Sequence, residues 1–65
     1  MNTLDKLQDA LQGEMMLQSM YNKHMMDISN SSVRQLFTQM RETKMQNVTQ
    51  LQQQIQQMIK QGKIS

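Results

Sequence analysis

The feature that most constrains this chain is a single break in an otherwise helical sequence. Proline is absent from all 65 residues, and the central cluster of turn-forming and capping residues is Ser29-Asn30-Ser31-Ser32. On both sides of this cluster, apolar residues recur at spacings of three and four, which is typical of amphipathic helices rather than strands. We therefore predict one all-α domain over residues 1–65, with helix 1 over about 3–28, a turn over about 29–32 and helix 2 over about 33–61.

Capping residues indicate where these helices begin and end. Asn2 precedes helix 1, and Asp5 stands three residues later, where a carboxylate suits the positive end of a helix. Helix 2 is expected to be capped by Asn30 or Ser31. Gly62 is expected to end helix 2, because glycine is favoured just beyond a helix C-terminus.

Two helices of similar length joined by a short turn must lie antiparallel, so we predict a two-helix hairpin. The apolar stripes are wider than one partner helix can cover. A chain this small without cysteine cannot add a disulfide, and oligomerisation is then the usual remedy. We predict a homodimer that closes a four-helix bundle. Its interface core is expected to contain Leu7, Leu11, Glu14, Gln18, Tyr21, Met25, Phe37, Met40, Lys44, Asn47, Val48, Leu51 and Ile55.

Four members of this predicted core are polar. Glu14 lies 16 residues before Asn30 and Lys44 lies 14 residues after it, so an antiparallel hairpin sets them nearly level. We predict an ion pair, hydrogen-bonded by Gln18 and Asn47, that fixes register as a buried polar residue does in coiled coils. The alternative is a small rotation of the helices that leaves both charges half-solvated at the edge of the interface.

The same residues resemble a known pattern. Glu14, Leu17 and Tyr21 have the spacing found in the first helix of ferritin-like proteins. In that family the next helix carries an aromatic residue and then Glu-x-x-His, whose side chains help to bind two metals. In this chain the corresponding positions of the second helix are occupied by Phe37 and by Lys44-Met45-Gln46-Asn47. Lysine and asparagine replace the glutamate and histidine, and a protonated lysine repels metal, so we predict neither a metal site nor a cofactor.

A narrower resemblance is to the spore coat protein F family, a ferritin-like group of spore-forming bacteria. It rests on the segments Ser32-Val33-Arg34-Gln35-Leu36-Phe37 and Gln57-Met58-Ile59-Lys60-Gln61-Gly62. The family domain is longer, so the resemblance implies that this chain is a half-bundle completed by dimerisation. It also implies a structural or coat-associated role.

Several function classes are not expected from this sequence. It has no glycine-rich phosphate loop, zinc-ligand spacing or nucleophile motif, so no catalytic residue is predicted. A net charge of +2 with scattered basic residues argues against nucleic acid as a partner. No apolar stretch approaches the roughly 20 residues of a membrane span, and no signal peptide begins the chain. We therefore expect a cytoplasmic protein, with the spore coat as the location that the family resemblance implies.

Other interpretations remain open at this point. One is a small helical-hairpin regulator that binds and inhibits a partner protein. Another is a degenerate metal-binding bundle that uses Glu14, His24 and Glu42 from two chains. Considered alone, His24 is predicted to be a surface or interface-edge residue. Met16 and Met26 point away from the apolar stripe, and we predict that they mark a second contact surface for other coat or regulatory proteins.

Overall fold

A computed structural model describes residues 2–62, which form two helices, α1 (Thr3–Asp27) and α2 (Ser31–Lys60). The helices pack against each other as an antiparallel hairpin, which confirms the predicted all-α fold of a single chain. The molecule measures 48 × 17 × 11 Å, so it is a flat slab one helix thick. Both broad faces of this slab are open in the single chain.

Asparagine side chains begin both helices. Asn2 Oδ1 accepts a hydrogen bond from the Asp5 amide at 2.8 Å, as predicted. Asn30 Oδ1 accepts one from the Val33 amide at 3.0 Å, so Asn30 is the cap of α2. The helix then begins at Ser31, two residues earlier than predicted, because Asn30 and not a later residue of the polar cluster is its cap.

At the C-terminal end of α2, backbone amides just beyond the helix donate hydrogen bonds to carbonyl groups of its last turn. The amide of Gln61 donates to the Gln57 carbonyl at 2.9 Å, and the amide of Gly62 donates to the Ile59 carbonyl at 3.1 Å. Gly62 has a φ of 72°, in the left-handed region that glycine adopts without steric cost. The prediction that Gly62 ends the helix is confirmed.

The two helices meet along a seam, defined here by side chains that turn towards the opposite helix. On α1 the seam contains Leu4, Leu7, Leu11, Glu14, Gln18, Tyr21, Met25 and Ile28. On α2 it contains Phe37, Arg41, Lys44, Val48, Leu51, Ile55 and Met58. These positions alternate spacings of three and four residues, which is the pattern of an antiparallel coiled coil.

Burial along the seam is slight. Among residues 2–62, Val48 and Ile55 are buried, and both lie on α2 in the half of the hairpin away from the turn. Met40, which we predicted in the interface core, is exposed in the single chain. The remaining predicted core residues are half-buried: Leu7, Leu11, Glu14, Gln18, Tyr21, Met25, Phe37, Lys44, Asn47 and Leu51. Neither described helix is long and apolar enough to cross a membrane.

Candidate functional site

A polar layer interrupts the seam halfway along both helices. It consists of Glu14 and Gln18 on α1 and of Arg41, Lys44 and Asn47 on α2. The seam is apolar on either side, with leucine, valine and isoleucine away from the turn and aromatic residues towards it. Within residues 2–62, this layer is therefore where charge and hydrogen bonding, and not apolar packing alone, align the two helices.

Glu14 is the centre of the layer. Lys44 Nζ lies 3.0 Å from Glu14 Oε2, and Asn47 Nδ2 donates to Glu14 Oε1 at 2.9 Å. Both carboxylate oxygens therefore have a partner from the opposite helix, which confirms the predicted ion pair and the predicted contact of Asn47. The side chains of Lys44 and Glu14 are 24% and 20% exposed, so in the single chain the pair is half-solvated.

The hydrogen bond from Lys44 lowers the pKa of Glu14 below its ordinary value of 4.5. Partial burial of the carboxyl opposes this shift, and the hydrogen bond from Asn47 adds to it. Glu14 is thus ionised at neutral pH and holds its proton less readily than a free glutamate does. A carboxylate in this state is a weak general base, so its chemistry suits alignment of the helices better than proton transfer.

The structure differs from the sequence prediction at two members of the layer. Gln18 makes no hydrogen bond to Glu14 or Lys44 within the described part of the chain. Arg41, which is not a member of the predicted interface core, donates from Nη1 to Asn22 Oδ1 at 3.0 Å. Its Nε is buried without a partner among residues 2–62. The seam spacing reveals Arg41, since it falls four residues after Phe37 and three before Lys44.

Aromatic side chains fill the seam between the polar layer and the turn. The rings of Tyr21 and Phe37 meet edge to face, with centroids 5.8 Å apart and planes at 83°. The His24 ring approaches the same Phe37 at 6.3 Å and 89°. Thr38 Oγ1 lies 2.8 Å from the Met25 sulfur. His24 therefore serves here as an edge-packing ring beside Phe37.

An open groove runs along each side of the seam. The glycine groove, of about 570 Å³, is lined by Ala10, Gly13, Glu14, Leu17, Asn47, Gln50, Leu51 and Gln54. The arginine groove, of about 620 Å³, is lined by Met15, Gln18, Ser19, Asn22, Arg41 and Met45. At 100° per residue, Gly13 and Met15 fall on opposite sides of Glu14, so the grooves belong to opposite faces of the slab. Both are shallow depressions rather than enclosed pockets.

No single hairpin supplies a metal-binding set within residues 2–62, since no three histidine, aspartate or glutamate side chains converge there. Of the residues in the metal-binding alternative, Glu14 is held by Lys44 and Asn47, and His24 lies against Phe37. Glu42 is exposed on α2. The described residues of one chain thus bring together an ion pair and not a metal centre.

Comparison with protein-family models, with curated proteins and with solved structures finds no match for this chain. The resemblance to ferritin-like and spore coat proteins therefore rests on the residue spacing between Glu14 and Asn47 and on the segments 32–37 and 57–62.

Proposed function

We propose that this chain is a non-enzymatic structural or interaction protein that self-assembles through its helices, as a homodimer with a four-helix core. The observation that carries the proposal is the imbalance between its buried and exposed apolar side chains. Two residues of the described hairpin are buried, whereas ten large hydrophobic side chains are exposed. These are Met15, Met16, Leu17, Met20, Met26, Val33, Leu36, Met40, Met45 and Ile59.

A two-helix layer with so small a core is poorly stabilised alone. Ordering each residue costs roughly 1–2 kcal/mol of backbone entropy, and burial of apolar surface is the main term that offsets this cost. Stable helical architectures bury the apolar stripe of each helix against further elements. A second copy is the simplest source of such elements, because a two-fold axis supplies two helices at once.

Sedimentation equilibrium over a range of micromolar concentrations tests this proposal. We expect a molar mass twice the 7.7 kDa of one chain. Dilution is expected to dissociate the dimer and lower the helix content together, because each hairpin depends on its partner for a core. A folded species of monomer mass at every concentration would overturn the proposal.

For the cellular setting we propose association with the spore coat. Support comes from the resemblance of the segments 32–37 and 57–62 to the spore coat protein F family. Fractionation of a sporulating culture of the source organism, with immunodetection, is the direct measurement. We expect the protein in the coat extract, and recovery from the vegetative cytoplasm alone would contradict this setting.

A second candidate function is a hairpin regulator that binds and inhibits a partner protein. Met16 and Met26, 73% and 72% exposed, favour this alternative because flexible thioethers adapt to varied surfaces. Replacing both methionines by glutamine separates the two functions. Self-assembly is expected to survive the double substitution, whereas capture of a partner by the regulator would be lost.

A further inference from the structure

The two broad faces of the slab differ in charge. One face, here called the glycine-groove face, follows two lines of residues spaced by three and four. On α1 the line is Ala10, Gly13, Leu17, Met20 and His24. On α2 it is Leu36, Met40, Thr43, Asn47, Gln50 and Gln54. None of these eleven residues carries a formal charge at pH 7 with histidine neutral. The same spacing places one lysine, Lys6, four residues before Ala10 at the open end of the face. The part of the face from Ala10 to His24 can therefore meet a copy of itself without like charges.

An apolar patch lies on this face between the polar layer and the turn. Its members are between 37% and 51% exposed, and they are Leu17, Met20, Leu36 and Met40. The contact between Glu14 and Lys44 sets the register, which places Leu17 near the level of Met40 and Met20 near the level of Leu36. The patch is thus formed by both helices and is continuous across the seam.

Gly13 lies on the same face, at the middle of α1. A Cβ atom added there would meet nothing within 4 Å in the described part of the chain, so packing within the hairpin does not require a glycine. Glycine nevertheless destabilises a helix interior relative to alanine. A residue without a side chain does allow another backbone to approach closely, and the glycine groove provides that space.

The face is large enough for a dimer interface when the second copy lies along its whole length. The slab extends 48 × 17 Å, so each broad face projects about 800 Å². A standard protein interface buries roughly 800 Å² on each partner. A two-fold dimer presents the same surface on both copies, and the uncharged part of this face can meet itself without bringing like charges together.

We propose that the glycine-groove face is the surface on which a second copy of this chain packs, with Gly13 at the point of closest approach. This inference rests on the proposed self-assembly and specifies where it takes place. Glu14 and Asn47 line the glycine groove, so the second copy covers them. The half-solvated polar layer of each chain then lies inside the four-helix bundle, where it selects one register of the two copies.

Two lysine substitutions on neighbouring residues of α1 test the choice of face. Gly13→Lys places a charge on the glycine-groove face. Gln12→Lys places the same charge on the opposite side of the seam, three and seven residues before Met15 and Ser19 of the arginine groove. Both positions are exposed in the hairpin, and lysine is a better helix former than glycine.

The readout is the dimer dissociation constant from sedimentation equilibrium, with circular dichroism on the same samples. We expect Gly13→Lys to weaken the dimer about tenfold or more, since a charge would be desolvated at the interface. Gln12→Lys is expected to stay within about twofold of wild type, as surface substitutions usually do. Loss of the dimer in Gly13→Lys alone supports this face, whether or not the released chain stays helical.

The remaining outcomes overturn the inference in distinguishable ways. A wild-type dimer that tolerates Gly13→Lys would overturn the choice of face and leave self-assembly intact. A dimer that is lost in Gln12→Lys alone, or weakened equally by both substitutions, would also overturn the choice of face. A wild-type chain that stays monomeric would overturn self-assembly itself, and the choice of face with it.

Discussion

Glu14 shows how one residue connects the two helices of this hairpin. Its two carboxylate oxygens contact Lys44 and Asn47, both on α2. The folded hairpin therefore stabilises the ionised form of Glu14. Protonation would remove the charge that Lys44 pairs with and weaken the hydrogen bond from Asn47. The stability of the hairpin is therefore linked to the proton occupancy of this single carboxyl.

Replacing Glu14 by glutamine is expected to remove this linkage. Because the folded pKa of Glu14 lies below its ordinary 4.5, its stabilisation is present above that pH and is lost as the pH falls through the lowered pKa. The melting temperature of wild type should thus exceed that of Glu14→Gln at pH 7, and the gap should close below about pH 4.5. Thermal melts monitored by circular dichroism between pH 7 and pH 2.5 measure this gap.

The control for this titration is Glu42→Gln, which removes an exposed carboxylate from α2. It is expected to leave the wild-type pH profile in place. A gap between wild type and Glu14→Gln that is equally large at pH 3 and pH 7 would contradict the assigned role of the ion pair.

At the scale of the helices, the turn between α1 and α2 depends on one side chain. Asn30 has an extended backbone and its side chain satisfies the amide of Val33, one of the four amides that a helix N-terminus leaves without a partner. Ser31, which the sequence offered as an alternative cap, is instead the first residue of α2. The position of the cap sets the length of the turn and hence the register of the seam.

Asn30→Ala is therefore expected to lower the free energy of unfolding by about 1 kcal/mol, the usual cost of removing an N-cap side chain. Ser31→Ala is the matched control and should change it by less than about 0.5 kcal/mol. Urea denaturation at one fixed protein concentration measures both variants. Equal losses of unfolding free energy in the two variants would show that Asn30 is not the only side chain that caps α2.

At the scale of the whole molecule, the best-packed part of the hairpin lies away from the turn. Val48 and Ile55 are buried there, near the level of the leucines at the start of α1. The half near the turn has aromatic contacts but leaves Leu36 and Met40 exposed. Stability within one chain is thus concentrated at the open end, and the half near the turn has more to gain from a second copy.

Ile55→Ala is expected to lower the free energy of unfolding by roughly 2–3 kcal/mol, because it removes a buried side chain and leaves a cavity. Ile59→Ala makes the same substitution one turn later, where the side chain is 58% exposed, and should cost less than about 0.5 kcal/mol. Urea denaturation compares the two directly. Similar losses of unfolding free energy at both positions would contradict the placement of Ile55, and not Ile59, in the core of the hairpin.

Periodicity and capping were sufficient to predict the helices, the turn and the pairing of Glu14 with Lys44. These features depend on local spacing and on counting residues from one turn, and both can be read along the chain. The contact between Arg41 and Asn22 could not be predicted in the same way, because Asn22 is exposed and lies outside the seam. Their contact depends on how far the helices rotate about their axes, which the spacing of apolar residues leaves undetermined.

The sequence by itself determined two amphipathic helices, their antiparallel order and the level at which opposite charges meet, because all three follow from backbone geometry and chain connectivity. Only the tertiary structure decided the rotation of the helices about the seam. That rotation half-buries Glu14, turns Gln18 towards the arginine groove and brings Gly13, Leu17 and Asn47 into the glycine groove. The physical reason is that rotation is set by the packing of side chains from both helices together, which neither helix specifies alone.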